Sequence, residues 1–115
     1  MSSDSRADAK NAGSRFFQTS VLNAYGDLLL DMSRCGDAIG HYRQALDLAR
    51  SLRAPHQEAH ALEGVGRCII GGGDRKEGIA HLQQALAIYR RIKARQARRV
   101  EATLSELDAT PDITG

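Results

Sequence analysis

A chain of 115 residues, 42% hydrophobic, 4% aromatic and without tryptophan, has material for one small domain and a single core. Sixteen Lys and Arg against fourteen Asp and Glu leave a formal charge of +2, too balanced for a protein whose main task is to coat nucleic acid or an anionic membrane. No run has the length of a membrane span and no apolar signal core opens the chain; Cys35 and Cys68 suit neither a disulfide framework nor a zinc site, so a reducing, cytoplasmic setting is expected.

Residues 1–13 are expected to be a disordered arm, because the first twelve hold no Val, Ile, Leu, Phe or Tyr to offset the entropy of ordering. From Ser14 onward Ala, Leu, Arg, Gln and Glu dominate and no β-branched run alternates with period two, which predicts an all-α chain. Punctuation sets the boundaries. Gly13-Ser14 reads as a reversal and N-cap, Cys35-Gly36-Asp37 as a break and a second cap, Pro55 as a first-turn proline, and Gly71-Gly72-Gly73-Asp74 as a turn ending in a cap. Helices follow at about 14–33, 37–53, 55–70 and 74–93, with a fifth near 96–108 from the spacing of Val100, Leu104 and Leu107. No Gly or Pro separates the last two, which leaves one continuous helix open; 109–115 is expected to be a disordered tail.

Shifting the sequence by forty residues aligns 19–54 with 59–94 without a gap, and nine positions are identical: Leu22/Leu62, Gly26/Gly66, Ile39/Ile79, His41/His81, Gln44/Gln84, Ala45/Ala85, Leu46/Leu86, Arg50/Arg90 and Ala54/Ala94. Roughly three would arise by chance. The unit is a helix hairpin used twice, with a join after Ala54 and another after Ala94. Gly26 and Gly66 fall inside first helices, where glycine costs about 1 kcal/mol relative to alanine, so a close helix approach is expected there. Ala45 and Ala85 serve the same purpose from the second helices, and Tyr42 and Leu82 fill the remaining space.

Leu22-x2-Tyr25-Gly26-x2-Leu29 followed by Ala38-x3-Tyr42 and Ala45 resembles the tetratricopeptide repeat (TPR) pattern, and Leu62-x2-Val65-Gly66-x2-Ile69 with Gly78-x3-Leu82 and Ala85 repeats it. Leu stands for the pattern's Trp, Gly78 for its Ala, and Arg50 and Arg90 where a Pro often closes the repeat. The forty-residue period is similar to the family's longer variant, as in bacterial signal-transduction ATPases and transcription activators. The resemblance implies a right-handed α-α superhelix, a solenoid of two hairpins plus a capping helix over 95–108. It also implies a non-enzymatic module for protein-protein contact, the C-terminal regulatory part of a larger bacterial transcriptional regulator or signalling ATPase.

The same resemblance places a partner peptide or helix in a concave groove lined by Ser20, Asn23, Asp27, Leu30, Asp31, His60, Glu63, Arg67 and Ile70. That mixture suits a partner with an apolar anchor and a basic residue, and lacks the Lys and Asn set that holds a C-terminal carboxylate. Gly13-Ser14-Arg15 falls where Arg53-Ala54-Pro55 joins the repeats, as though an earlier repeat had stood before it. Phe16 and Phe17 then sit on an uncovered first helix, expected to pack against a missing repeat or, by self-association, a second copy.

Other signals are weaker. His56 and His60 are i, i+4, yet HQEAH is not the HExxH of zinc enzymes; Gly71 to Asp74 lacks the Lys-Ser/Thr and the preceding strand of a phosphate loop; neither cysteine has an evident base. No catalytic residue, metal or cofactor is assigned. Arg90, Arg91, Lys93, Arg95, Arg98 and Arg99 form a basic segment without an acid, read first as a solvated cap helix and next as a surface for an acidic protein; a nucleic-acid-associated module is the alternative function, but nucleic acid is not the expected partner, since no interleaved aromatics offer a stacking platform.

Overall fold

The structure, a computed structural model, describes the backbone of residues 3–109 and the side chains of 13–108. Five helices follow one another: α1 (Ser3–Asp31), α2 (Cys35–Leu52), α3 (Pro55–Gly71), α4 (Arg75–Arg91) and α5 (Gln96–Ala109), and no strand occurs among the described residues. Each helix packs on the next, and α1 also meets α3, so that α1 and α3 form an inner row with α2 and α4 behind them. The result is an open stack, 62 Å in its longest dimension and 18 Å in its shortest.

The start of α1 corrects the expected arm. Helical backbone begins at Ser3, eleven residues before the expected cap, and runs through Gly13-Ser14 without a reversal. Extending a helix that packing has already nucleated costs little per residue, and one glycine costs about 1 kcal/mol, too little to stop it. Met1, Ser2 and, of the expected 109–115 tail, residues 110–115 lie outside the described residues, while Ala109 ends α5.

The forty-residue period reappears in the backbone. Ser33 (φ 60°) and Gly73 (φ 104°) take the left-handed conformation at the two intra-hairpin turns, as Arg53 (φ 53°) and Lys93 (φ 56°) do at the two joins. The hydrogen bonds that close those turns repeat as well. Arg34 N donates to Leu29 O as Asp74 N does to Ile69 O, and Ala54 N to Ala49 O as Ala94 N does to Tyr89 O. Pro55 opens α3 at its first turn, and the Asp74 side chain caps α4 by accepting from Glu77 N at 3.1 Å. The last join settles the α4–α5 question: left-handed Lys93 breaks the helix without Gly or Pro, as Arg53 breaks α2 from α3.

Two apolar clusters hold the stack. Ala38 and Tyr42 of α2 close on Val65 and Cys68 of α3, while Leu62, Leu82, Ala85, Tyr89 and Val100 join α3, α4 and α5. Missing side chains make the close approaches. A Cβ at Gly26 would lie 2.7 Å from the Tyr42 ring, and one at Gly66 2.9 Å from the Gly78 carbonyl oxygen. Gly78, a departure from the family's alanine, is required here, because a Cβ on it would stand 2.3 Å from Ile70.

Candidate functional site

The inner faces of α1 and α3, with Arg99 of α5, enclose an open cavity of about 300 Å3. Its walls are Asp27, Leu30 and Asp31 from α1, His60, Glu63, Gly64 and Arg67 from α3, Tyr42 from α2 and Arg99. Helical spacing explains the grouping: Asp27, Leu30 and Asp31 recur every three or four residues, as do His60, Glu63 or Gly64, and Arg67, so each set shares a helix face.

Two ionic clusters form the floor. The Asp27 carboxylate accepts from the Tyr42 hydroxyl at 2.5 Å, and His60 Nε2 lies 3.0 and 2.9 Å from its two oxygens. Burial pushes the Asp27 carboxyl up, but the His60 and Tyr42 hydrogen bonds, with the charges of His60 and Arg67, outweigh it and hold the group below its ordinary range. Burial raises the Tyr42 hydroxyl, and Asp27 raises it further, so it remains a donor.

The second cluster centres on Glu63, only 4% exposed. Arg99 grips it with two bonds, 3.1 Å from Nε and 2.6 Å from a terminal nitrogen, while Arg67 lies at 3.2 Å and the Tyr89 hydroxyl donates at 3.4 Å. The bonds to Glu63 hold the Arg99 guanidinium above its ordinary value despite burial. Both arginines remain about half exposed and keep donors toward solvent, and the Asp31 carboxylate is exposed at the α1 rim.

Of the nine residues expected to line the groove, Asp27, Leu30, Asp31, His60, Glu63 and Arg67 meet at this cavity. Ser20, Asn23 and Ile70 stand outside its walls. Asn23 is buried where α1 crosses α3, donating to the backbone oxygen of Gln57 at 3.2 Å and its side-chain oxygen at 2.9 Å, while Gln57 Nε2 donates to Ser20 Oγ. Ile70 turns toward Gly78 and packs on the apolar cluster. Tyr42, Gly64 and Arg99 were not foreseen in the groove; Tyr42 reads as filler and Arg99 as surface charge until the helices are stacked.

The basic segment does not share one helix face. It spans the end of α4, the join and the start of α5, with Arg99 turned into the groove and Arg90 paired with Glu101 at 3.3 Å. Arg91, Lys93, Arg95 and Arg98 stay exposed. His56 and His60 diverge: His56 meets the Tyr89 ring edge-on at 5.8 Å, whereas His60 serves Asp27. Both cysteines are free thiols and pack together, Cys68 buried and Cys35 half-buried. No described helix is long and apolar enough to cross a membrane.

A tetratricopeptide repeat profile matches residues 17–91. The crystal structure of the TPR domain of Arabidopsis FLU superposes with a TM-score of 0.74 at 22% identity, over 81% of this chain and 79% of that one. No curated protein sequence matches. The profile covers well over half of the chain and the stacked hairpins have the corresponding fold, so this protein belongs to the tetratricopeptide repeat family, whose repeats generally mediate contact between proteins.

Proposed function

We propose that the chain is a non-enzymatic recognition module that takes an extended or helical peptide segment into the cavity between α1 and α3. One observation carries this reading: the exposed Asp31 carboxylate and half-buried Leu30 stand at the mouth of an open cavity whose floor carboxylates already have partners. Asp27 answers His60 and Tyr42, and Glu63 answers Arg67 and Arg99, which leaves Asp31 to meet an incoming group. A volume of about 300 Å3 accommodates one or two side chains of a partner. The partner segment presents a Lys or Arg to Asp31 and an apolar side chain to Leu30.

A peptide array that varies one basic and one apolar position tests this by titration against wild type and Asp31→Lys. The variant is expected to lose affinity for basic-apolar peptides by at least about tenfold, the reversal of a rim charge pair, with its circular dichroism spectrum unchanged. Equal affinity for both proteins removes the groove reading.

The exposed Arg91, Lys93, Arg95 and Arg98 favour nucleic acid as the second reading. Binding that falls steeply with salt on generic DNA or RNA supports it, whereas salt-tolerant peptide binding supports the groove. A cytoplasmic setting suits the two free thiols. A role as the regulatory part of a larger bacterial transcriptional regulator or signalling ATPase is tested by the gene sequence flanking this segment.

A further inference from the structure

All the large hydrophobic side chains that the described residues leave exposed lie on α1 or the turn that ends it: Phe16, Phe17, Val21, Tyr25, Leu28 and Met32, between 39% and 69% exposed. Five of them make a stripe. Phe17, Val21, Leu28 and Met32 recur at helical spacing with Ala24 in the middle and Tyr25 at the edge, where its ring stacks on His41 at 5.5 Å. One repeat later the positions equivalent to Val21, Tyr25 and Leu28 are Ala61, Val65 and Cys68, all buried, and α2 covers the last two with Ala38 and Tyr42, while those equivalent to Phe17 and Met32 are the half-buried Gln57 and the exposed Gly72. The middle of the face on α1 is therefore the surface that a helix covers elsewhere in this same molecule.

We propose that a second copy of this chain covers it, through an antiparallel α1–α1 contact about a two-fold axis beside Ala24. The proposal is independent of the groove. Between Arg15 and Asp31 the one charged residue of α1 is Asp27, whose half-exposed carboxylate faces His60 rather than the stripe, so two identical stripes meet without repulsion. Among the described residues the exposed positions of α5 include the charged Arg98 and Glu101 and the polar Ser105, a poor match for an apolar stripe, which favours the closed, self-complementary arrangement over head-to-tail growth. The five partly exposed side chains of the stripe amount to on the order of 500 Å2 of apolar surface, the upper range for a monomer and most of the core of a standard interface of about 800 Å2 per partner. Ala24 admits close approach of the two helices, and the symmetry sets Val21 of one copy against Leu28 of the other and Phe17 against Met32.

Sedimentation equilibrium across micromolar to roughly millimolar concentration is expected to show a reversible monomer–dimer system. Val21→Glu and Leu28→Lys both change exposed positions, so each chain should keep its helicity, and each alone should weaken the dimer by at least about 100-fold. Mixed, the two variant chains should pair again, because the antiparallel register brings position 21 of one against position 28 of the other. A wild-type chain that stays monomeric throughout, a dimer indifferent to both substitutions, or a mixture that remains monomeric overturns the proposal.

Discussion

The Tyr42 ring occupies the space that a side chain on Gly64 would need: a Cβ built there would lie 2.3 Å from Cζ. The same ring blocks Gly26 on the other side, at 2.7 Å. One tyrosine from α2 thus sets how closely α1 and α3 approach, and its hydroxyl emerges between them to hold Asp27. Packing and site are joined in a single side chain.

Gly64→Ala should therefore destabilise the fold, although alanine is the better helix former. Overpacking against a buried ring costs about 2 to 3 kcal/mol, the propensity gain returns about 1, and the net should lower Tm by roughly 5 to 15 °C. Gly40→Ala is the control. Gly40 is exposed within α2 and a Cβ there meets nothing within 4 Å, so this change should raise Tm by a few degrees, reflecting about 0.5 to 1 kcal/mol. Thermal unfolding followed by circular dichroism checks both signs.

Asp27 makes part of the stability depend on pH. Its folded carboxyl is held below the ordinary value of 3.8, so its contribution is complete above that value and is lost as the pH falls through the lower folded value. Asp27→Asn should lower Tm at neutral pH, and the gap to wild type should narrow below pH 3.8. Melting curves across an acid series measure the gap. A gap that widens with acid contradicts the assignment.

The thiols should react unequally. Burial, reinforced by Cys35 beside it, pushes the Cys68 thiol up to about 11, so at pH 8 almost none of it is thiolate. Iodoacetamide followed by peptide mass spectrometry should label Cys35 first, with the Cys68 rate rising about tenfold per pH unit below its titration point. Labelling of Cys68 as fast as Cys35 at pH 8 would contradict this.

The repeat was legible because local chemistry writes it. Asp74 caps α4 through its own side chain, Pro55 accepts the first turn of α3, and the joins recur forty residues apart at Arg53 and Lys93. Even the break between α4 and α5 had a signal in the alignment of Arg53-Ala54 with Lys93-Ala94. The start of α1 had none, since the residues before Ser14 tolerate helix without demanding it.

By itself the sequence determined the hairpin, its duplication, the family and the helix faces bearing Asp27, Asp31, His60 and Arg67, because these depend on spacing along one chain. Only the tertiary structure decided that Asn23 is buried under Gln57, that Glu63 is shared by Arg67 and Arg99, and that Tyr42 reaches the groove. Those outcomes depend on where one helix crosses another, and a displacement of a few ångströms there exchanges a solvated charge for a buried ion pair. No periodicity along the chain records that distance.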